Sequence, residues 1–220
     1  MSGKHKSSRK DERRGARRRG VKQPREAIDL IVEGATEKAY LQALLDYRYR
    51  DVFAPQWHSS GSGSRTSLKD LLNKAWREER KGCCQGTIWV VCDVDENEVH
   101  RDLLKKWRTA NTDHRSALQG ASIESWFLQH LDKPSRPMSA REALRLVREQ
   151  WNRYKKGTEI QEWLIERTDK ACRREQQFLG DERNDGVWPV ERSSQMPLLI
   201  IYLDERARAR GGRLKTREEG

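Results

Sequence analysis

Hydrophobic positions along the chain fall into short runs separated by polar stretches, and the spacing within each run sets the element it predicts. Ile28 to Val32 is a compact apolar, largely β-branched run closed by Gly34, the pattern of a buried strand. Tyr40, Leu41, Leu44 and Leu45 recur at helical spacing, so Thr36 to Tyr49 predicts a helix with Thr36 as N-cap and Glu37 in its first turn. Val52 to Trp57 predicts a second strand, interrupted by Pro55. Leu68, Leu71, Leu72, Ala75 and Trp76 form the apolar face of a second helix. Thr87 to Cys92, introduced by Gly86, is the strongest strand pattern in the chain, and Val99, Leu103, Leu104 and Trp107 continue as a helix. This alternation of strands and helices is that of a parallel sheet covered by helices.

The second half reads as helical. Thr109 to Ala121 is too polar to assign, whereas Ser122 to Leu131 predicts a helix capped by Ser122. Ala140, Ala143, Leu144, Val147, Trp151 and Tyr154 recur at three and four, and residues 159–178 predict one further helix. Residues 197–203 are read as a helix because proline, here Pro197, is tolerated in a first turn. The predicted organisation is a basic arm over 1–25, an α/β domain over 26–132, a C-terminal helical extension over 139–210 and a tail over 211–220.

Charge changes this picture at one place. The formal net charge is +11, yet residues 1–25 alone hold eleven Lys/Arg against two Asp/Glu, so the excess basicity sits in an arm predicted to be disordered. Such an arm, with Arg13, Arg14, Arg17, Arg18 and Arg19 at its centre, suits phosphate contact, and Arg65 and Lys69 are candidates to line a nucleic-acid path. A solvated tail is the plain alternative. No apolar run approaches the roughly 18 residues of a membrane span, and no apolar segment of a secretory signal follows the basic start. The four cysteines form no C-x-x-C, which fits a reduced, cytoplasmic protein better than a zinc knuckle.

The candidate chemistry is acidic. Glu33 closes the first strand, and Asp93-Val94-Asp95-Glu96 closes the strongest one. In an open α/β sheet the crevice beyond the carboxyl ends of the strands is where ligands bind, so these acids should converge. Clustered carboxylates repel one another unless a cation neutralises them, and an all-oxygen set suits Mg²⁺ or Mn²⁺. Such an ion polarises phosphoryl oxygens and acidifies bound water. Asp and Glu after strands are also ordinary loop and cap residues. The pairing of two such points in this context is what favours a site.

The segment IVEGATEKAYL, with Glu33-Gly34-x-Thr36-Glu37, resembles the first motif of the Toprim superfamily, and VVCDVDE resembles its strand-terminal D-x-D. Toprim domains occur in topoisomerases, primases, recombination proteins and the overcoming-lysogenisation-defect nucleases. Within the superfamily the chain is most similar to the RloB-like group, through the Arg/Lys-rich arm, the helix after Asp-x-Asp-Glu and the segment Ile123-Glu124-Ser125-Trp126-Phe127. The likeness spans about residues 20–132. It departs in a first loop one residue shorter than Glu-Gly-Glu-Lys-Thr-Glu, and in Gly120-Ala121-Ser122 where the group has Asn-Pro-Cys.

The resemblance implies a Toprim-like fold, Glu33, Asp93 and Asp95 as catalytic and metal-holding residues, and Glu37 and Glu124 in support. It further implies a metal-dependent nuclease acting on DNA or RNA in bacterial anti-phage defence, beside an AAA- or ABC-type ATPase partner, with oligomerisation open. A second reading is a non-catalytic nucleic-acid-binding or sensor subunit. Primase or topoisomerase activity is disfavoured by the short chain, which shows no convincing catalytic-tyrosine domain or zinc-binding primase module. His58, beside the Gly/Ser-rich segment, is a minor candidate for substrate approach, His130 a structural residue, and Trp76, Trp107, Trp151 and Trp163 core residues.

Overall fold

The structure, a computed structural model, describes residues 24–58, 67–94, 99–179, 187–190 and 192–211. Four parallel strands lie in the order β2-β1-β3-β4: β1 (Glu26–Val32), β2 (Phe53–Trp57), β3 (Thr87–Asp93) and β4 (His114–Gln119). Between them run α1 (Ala35–Tyr47), α2 (Leu68–Arg80) and α3 (Arg101–Ala110). After β4 come α4 (Ile123–His130), α5 (Ala140–Gln150), α6 (Glu162–Glu166), α7 (Thr168–Leu179) and α8 (Met196–Ala209). The fold is α/β and Toprim-like, a parallel sheet covered by helices with helices at its C-terminal end, as the sequence predicts.

Alternation along the strands divides the interior into two layers. Ile28, Leu30 and Val32 of β1, with Trp89 and Val91 of β3, pack beneath α1, α4 and α8 through Tyr40, Leu44, Trp126, Leu199 and Leu203. Ile31, Ile88, Val90 and Cys92 point to the other face and meet Leu68, Leu71, Leu72 and Ala75 of α2 and Leu104 and Trp107 of α3. The chain moves outward from β1 to β2, then crosses back over β1 to β3. Right-handed connections therefore place α1 on one face and α2 and α3 on the other. The order reverses between β1 and β3, and that is where a crevice opens at the carboxyl end of the sheet.

Four local readings are corrected. Thr109–Ala121 contains β4, whose end residues His114 and Gln119 are held by tertiary partners. The His114 ring stacks on Trp107 at 4.4 Å and 5°, and its nitrogens meet Trp107 O at 2.8 Å and Glu79 Oε1 at 3.0 Å. Gln119 Oε1 accepts from Ser194 Oγ at 2.5 Å. Thr36 is not the cap of α1. Gly34 holds that position, and Thr36 Oγ1 instead accepts from the Gly157 N–H at 3.0 Å. Ser122 occupies the N-cap of α4, but its hydroxyl makes no hydrogen bond. Residues 159–178 form two helices, α6 and α7, which break at Arg167.

Pro55 falls on β2, an edge strand where a missing N–H is tolerated. Residues 197–203 are helical, with proline in the first turn of α8. Trp107 and Trp151 are buried and Trp76 and Trp163 partly buried, in keeping with core roles. His130 is fully buried against Tyr40 and Trp126, and burial pushes its imidazole down to about 3, so it stays neutral.

Candidate active site

Glu33 is the first residue past β1, and its backbone N–H still reaches Val91 O of β3 at 3.2 Å. Its Oε2 accepts the backbone N–H of Asp93 at 3.1 Å, so the two strand ends at the order reversal are joined through a carboxylate. The chain then enters α1. A Cβ at Gly34 would lie 2.9 Å from Glu37 Oε2, so the glycine leaves room for that carboxyl group to turn back over the strand end. Glu37, in the first turn of α1, is buried. Backbone amides at a helix N-terminus favour negative charge there.

Glu124, in the first turn of α4, is fully buried. Its Oε1 accepts the Tyr154 hydroxyl at 2.9 Å and has Lys156 Nζ at 3.7 Å, while its Oε2 is buried without a hydrogen bond. Tyr154, Lys156 and Gly157 belong to the turn after α5, and the Gly157–Thr36 hydrogen bond docks that turn onto α1. Gly157 holds φ +73°, a left-handed conformation that glycine adopts without strain.

Electrostatics ties the cluster together. The Glu37 carboxyl is pushed from 4.5 up to about 7, first by burial and then by the negative charges of Glu33 and Glu124. Its own backbone hydrogen bond and Lys156 pull the other way. The Tyr154 hydroxyl is raised by burial and by Glu124. Glu33 and Glu124 thus both bear on Glu37, Asp93 is joined through Glu33, and Lys156, its side chain more than half exposed, stands beside Glu124. All the donors are oxygens and Glu124 Oε2 is buried without a hydrogen bond, which fits a hard divalent cation such as Mg²⁺ or Mn²⁺.

The structure therefore brings Glu33, Asp93, Glu37 and Glu124 to one end of the sheet. Asp95 lies outside the described residues, as do Arg65 and the arm bearing Arg13, Arg14, Arg17, Arg18 and Arg19. Lys69 is exposed in the first turn of α2. His58 does not reach this cluster. Its Nε2 pairs with Asp29 Oδ1 at 2.7 Å, four residues before Glu33 on β1, roughly 13 Å away at strand rise. Tyr154 and Lys156 were not anticipated. Both follow a helix that gives no local sign of docking at the strand ends.

Among known proteins, the family model described as RloB-like protein matches residues 29–203. No curated protein and no solved structure matches the chain.

Proposed function

The chain belongs to the RloB-like family, and from that premise we propose that it is a metal-dependent nuclease of the Toprim type, hydrolysing phosphodiester bonds of DNA or RNA. The observation that carries this reading is the convergence of Glu33, Glu37 and Glu124 with Asp93 beyond the carboxyl ends of β1 and β3. Glu33, Asp93 and Glu124 would hold the cation, joined by Asp95. When bound, the ion polarises a phosphoryl oxygen and lowers the pKa of bound water.

The remaining chemistry belongs to side chains. Glu37, whose carboxyl is raised to about 7 by burial and its neighbouring carboxylates when no cation is bound, would accept a proton from an attacking water or return one to the leaving oxygen. Lys156, exposed above the carboxylates, offers a positive charge to a phosphate. Tyr154 holds Glu124 in place. Lys69, Arg65 and the arginines of the N-terminal arm would track the backbone by charge, independent of base sequence. Among the described residues no helix is long and apolar enough to cross a membrane. A cytoplasmic defence nuclease working beside an ATPase is the setting that the family resemblance suggests.

Purified protein is incubated with mixed DNA and RNA in Mg²⁺, in Mn²⁺ and in EDTA, beside Glu33→Ala and Asp93→Ala. The expected result is metal-dependent cutting that falls by at least ~100-fold in both variants. Cutting that persists in both would remove the site. Salt-sensitive binding without any cutting, with and without an ATPase partner, would favour the sensor reading.

A further inference from the structure

A second cluster lies midway along β1, between β2 and the start of β3. Asp29 of β1 is fully buried, His58 follows β2, and Cys84 precedes β3. One ligand atom from each, a carboxylate oxygen, an imidazole nitrogen and the thiol sulfur, lie within 4.8 Å of one another. The carboxylate is held by an outer layer of contacts: Asp29 Oδ2 accepts the backbone N–H groups of Gln85 and Gly86, each at 2.9 Å. Oδ1 is thereby aimed at His58 Nε2, 2.7 Å away. Gly86 makes the approach possible, since a Cβ there would come within 2.0 Å of Ala27 O.

We propose that Asp29, His58 and Cys84 form a transition-metal site, distinct from the acidic cluster, that takes Zn²⁺. Ligand chemistry separates the two clusters. A thiolate, an imidazole and a carboxylate suit Zn²⁺, whose bonds to them run about 2.0–2.3 Å, whereas the all-oxygen cluster suits a hard ion. Charge supports it as well. A carboxylate, a thiolate and a neutral imidazole around a divalent cation sum to zero, the balance that a buried site tolerates. The thiol by itself is not a nucleophile, because burial and Asp29 push it up to about 12.

The hydrogen-bonded amides of residues 85 and 86 are the kind of outer shell that orients a metal-binding carboxylate. Cys84 also lines a surface cleft of about 420 Å³ with Glu79, Asp113 and the Glu26–Arg206 ion pair, an entry path for a cation. Three protein ligands leave a fourth position for water. The ion would pin the entry to β3 against the exit of β2, through the residue that opens the Gly/Ser-rich segment 59–66.

The test uses the full chain, stripped with chelator and titrated with Co²⁺ as a spectroscopic stand-in. We expect one Co²⁺ per chain with a thiolate-to-metal charge-transfer band that excess Mg²⁺ leaves intact and Zn²⁺ displaces. Cys84→Ser should abolish the band, His58→Gln should weaken binding by at least ~10-fold, and Cys83→Ser should change neither. Melting curves of the stripped variants check that each is folded. A folded Cys84→Ser protein that keeps the band overturns the proposal, as does a band that depends on Cys83 alone. So does wild type that shows no band, or unchanged affinity in His58→Gln.

Discussion

Carboxylates are buried in two ways in this molecule. Beneath α8, Asp204 is met by Arg48 through Nε and Nη2 at 3.2 and 2.9 Å and by the Tyr49 hydroxyl at 2.6 Å. Arg48 also reaches Asp169 at 2.7 Å. Every formal charge there has a partner within hydrogen-bond reach. At the carboxyl ends of β1 and β3, Glu33 and Glu124 bear on Glu37, the largely exposed Lys156 stands beside Glu124, and burial with mutual repulsion drives Glu37 up to about 7. The first arrangement is complete within the chain. In the second, the Glu37 carboxyl is perturbed by its buried, like-charged surroundings, and perturbed groups of that kind gather at functional sites.

The largest expected effect comes from breaking the complete cluster. Arg48→Met leaves Asp204 buried against Tyr49 with only the exposed Arg208 at 3.8 Å among the described cations, and removing one partner of a buried pair costs about 3–5 kcal/mol. Urea unfolding of that variant should show the loss, and Arg48→Met with Asp204→Leu should recover most of it. A single variant as stable as wild type would mean that the network is not a stability element.

The acidic cluster should respond with the opposite sign. The folded Glu37 carboxyl titrates near 7 against 4.5 for an ordinary glutamate. The unfolded chain therefore ionises first, and this group's cost is absent below pH 4.5, grows as pH rises and is complete above about 7. In EDTA at pH 8, Glu37→Gln should stabilise the protein, on the order of 3 kcal/mol. At pH 5 the gain should shrink below ~1 kcal/mol, and saturating Mg²⁺ at pH 8 should narrow it. A gain independent of pH would show that ionisation of Glu37 is not its source.

The same contrast governs what was legible in the sequence. β1, apolar from Ile28 to Val32 except at Asp29, and the continuous run of β3 both end in acids, so the strands and the Glu33–Asp93 convergence could be read from local pattern. β4 could not, because His114 and Gln119 are polar in sequence and suited to a strand only once Trp107, Glu79 and Ser194 stand beside them. Thr36 carries the local signature of a cap, yet its hydroxyl is used by Gly157, 121 residues away in the chain. Glu124 was readable from its motif, whereas Tyr154 and Lys156 are placed by the docking of a distant turn. The Asp29, His58 and Cys84 group has no motif spacing. Its members meet only because β1 lies beside both β2 and β3.

The smallest effect is the most discriminating one for the cation. Tyr154→Phe removes the hydroxyl that donates to Glu124 Oε1 and leaves the ring among Phe127 and Trp151. Oε2 already lacks a hydrogen bond, so the variant carboxylate would retain only Lys156 at 3.7 Å. A hydrogen bond to a charged group contributes about 1.5–3 kcal/mol, and in EDTA the variant should lose an amount near the lower end, because water can enter beside the exposed lysine. If Glu124 faces the cation, Mg²⁺ supplies the missing positive partner and should reduce the deficit in thermal melts. A deficit of equal size with and without Mg²⁺ would place Glu124 outside the metal's reach, leaving Glu33 and Asp93 to hold it.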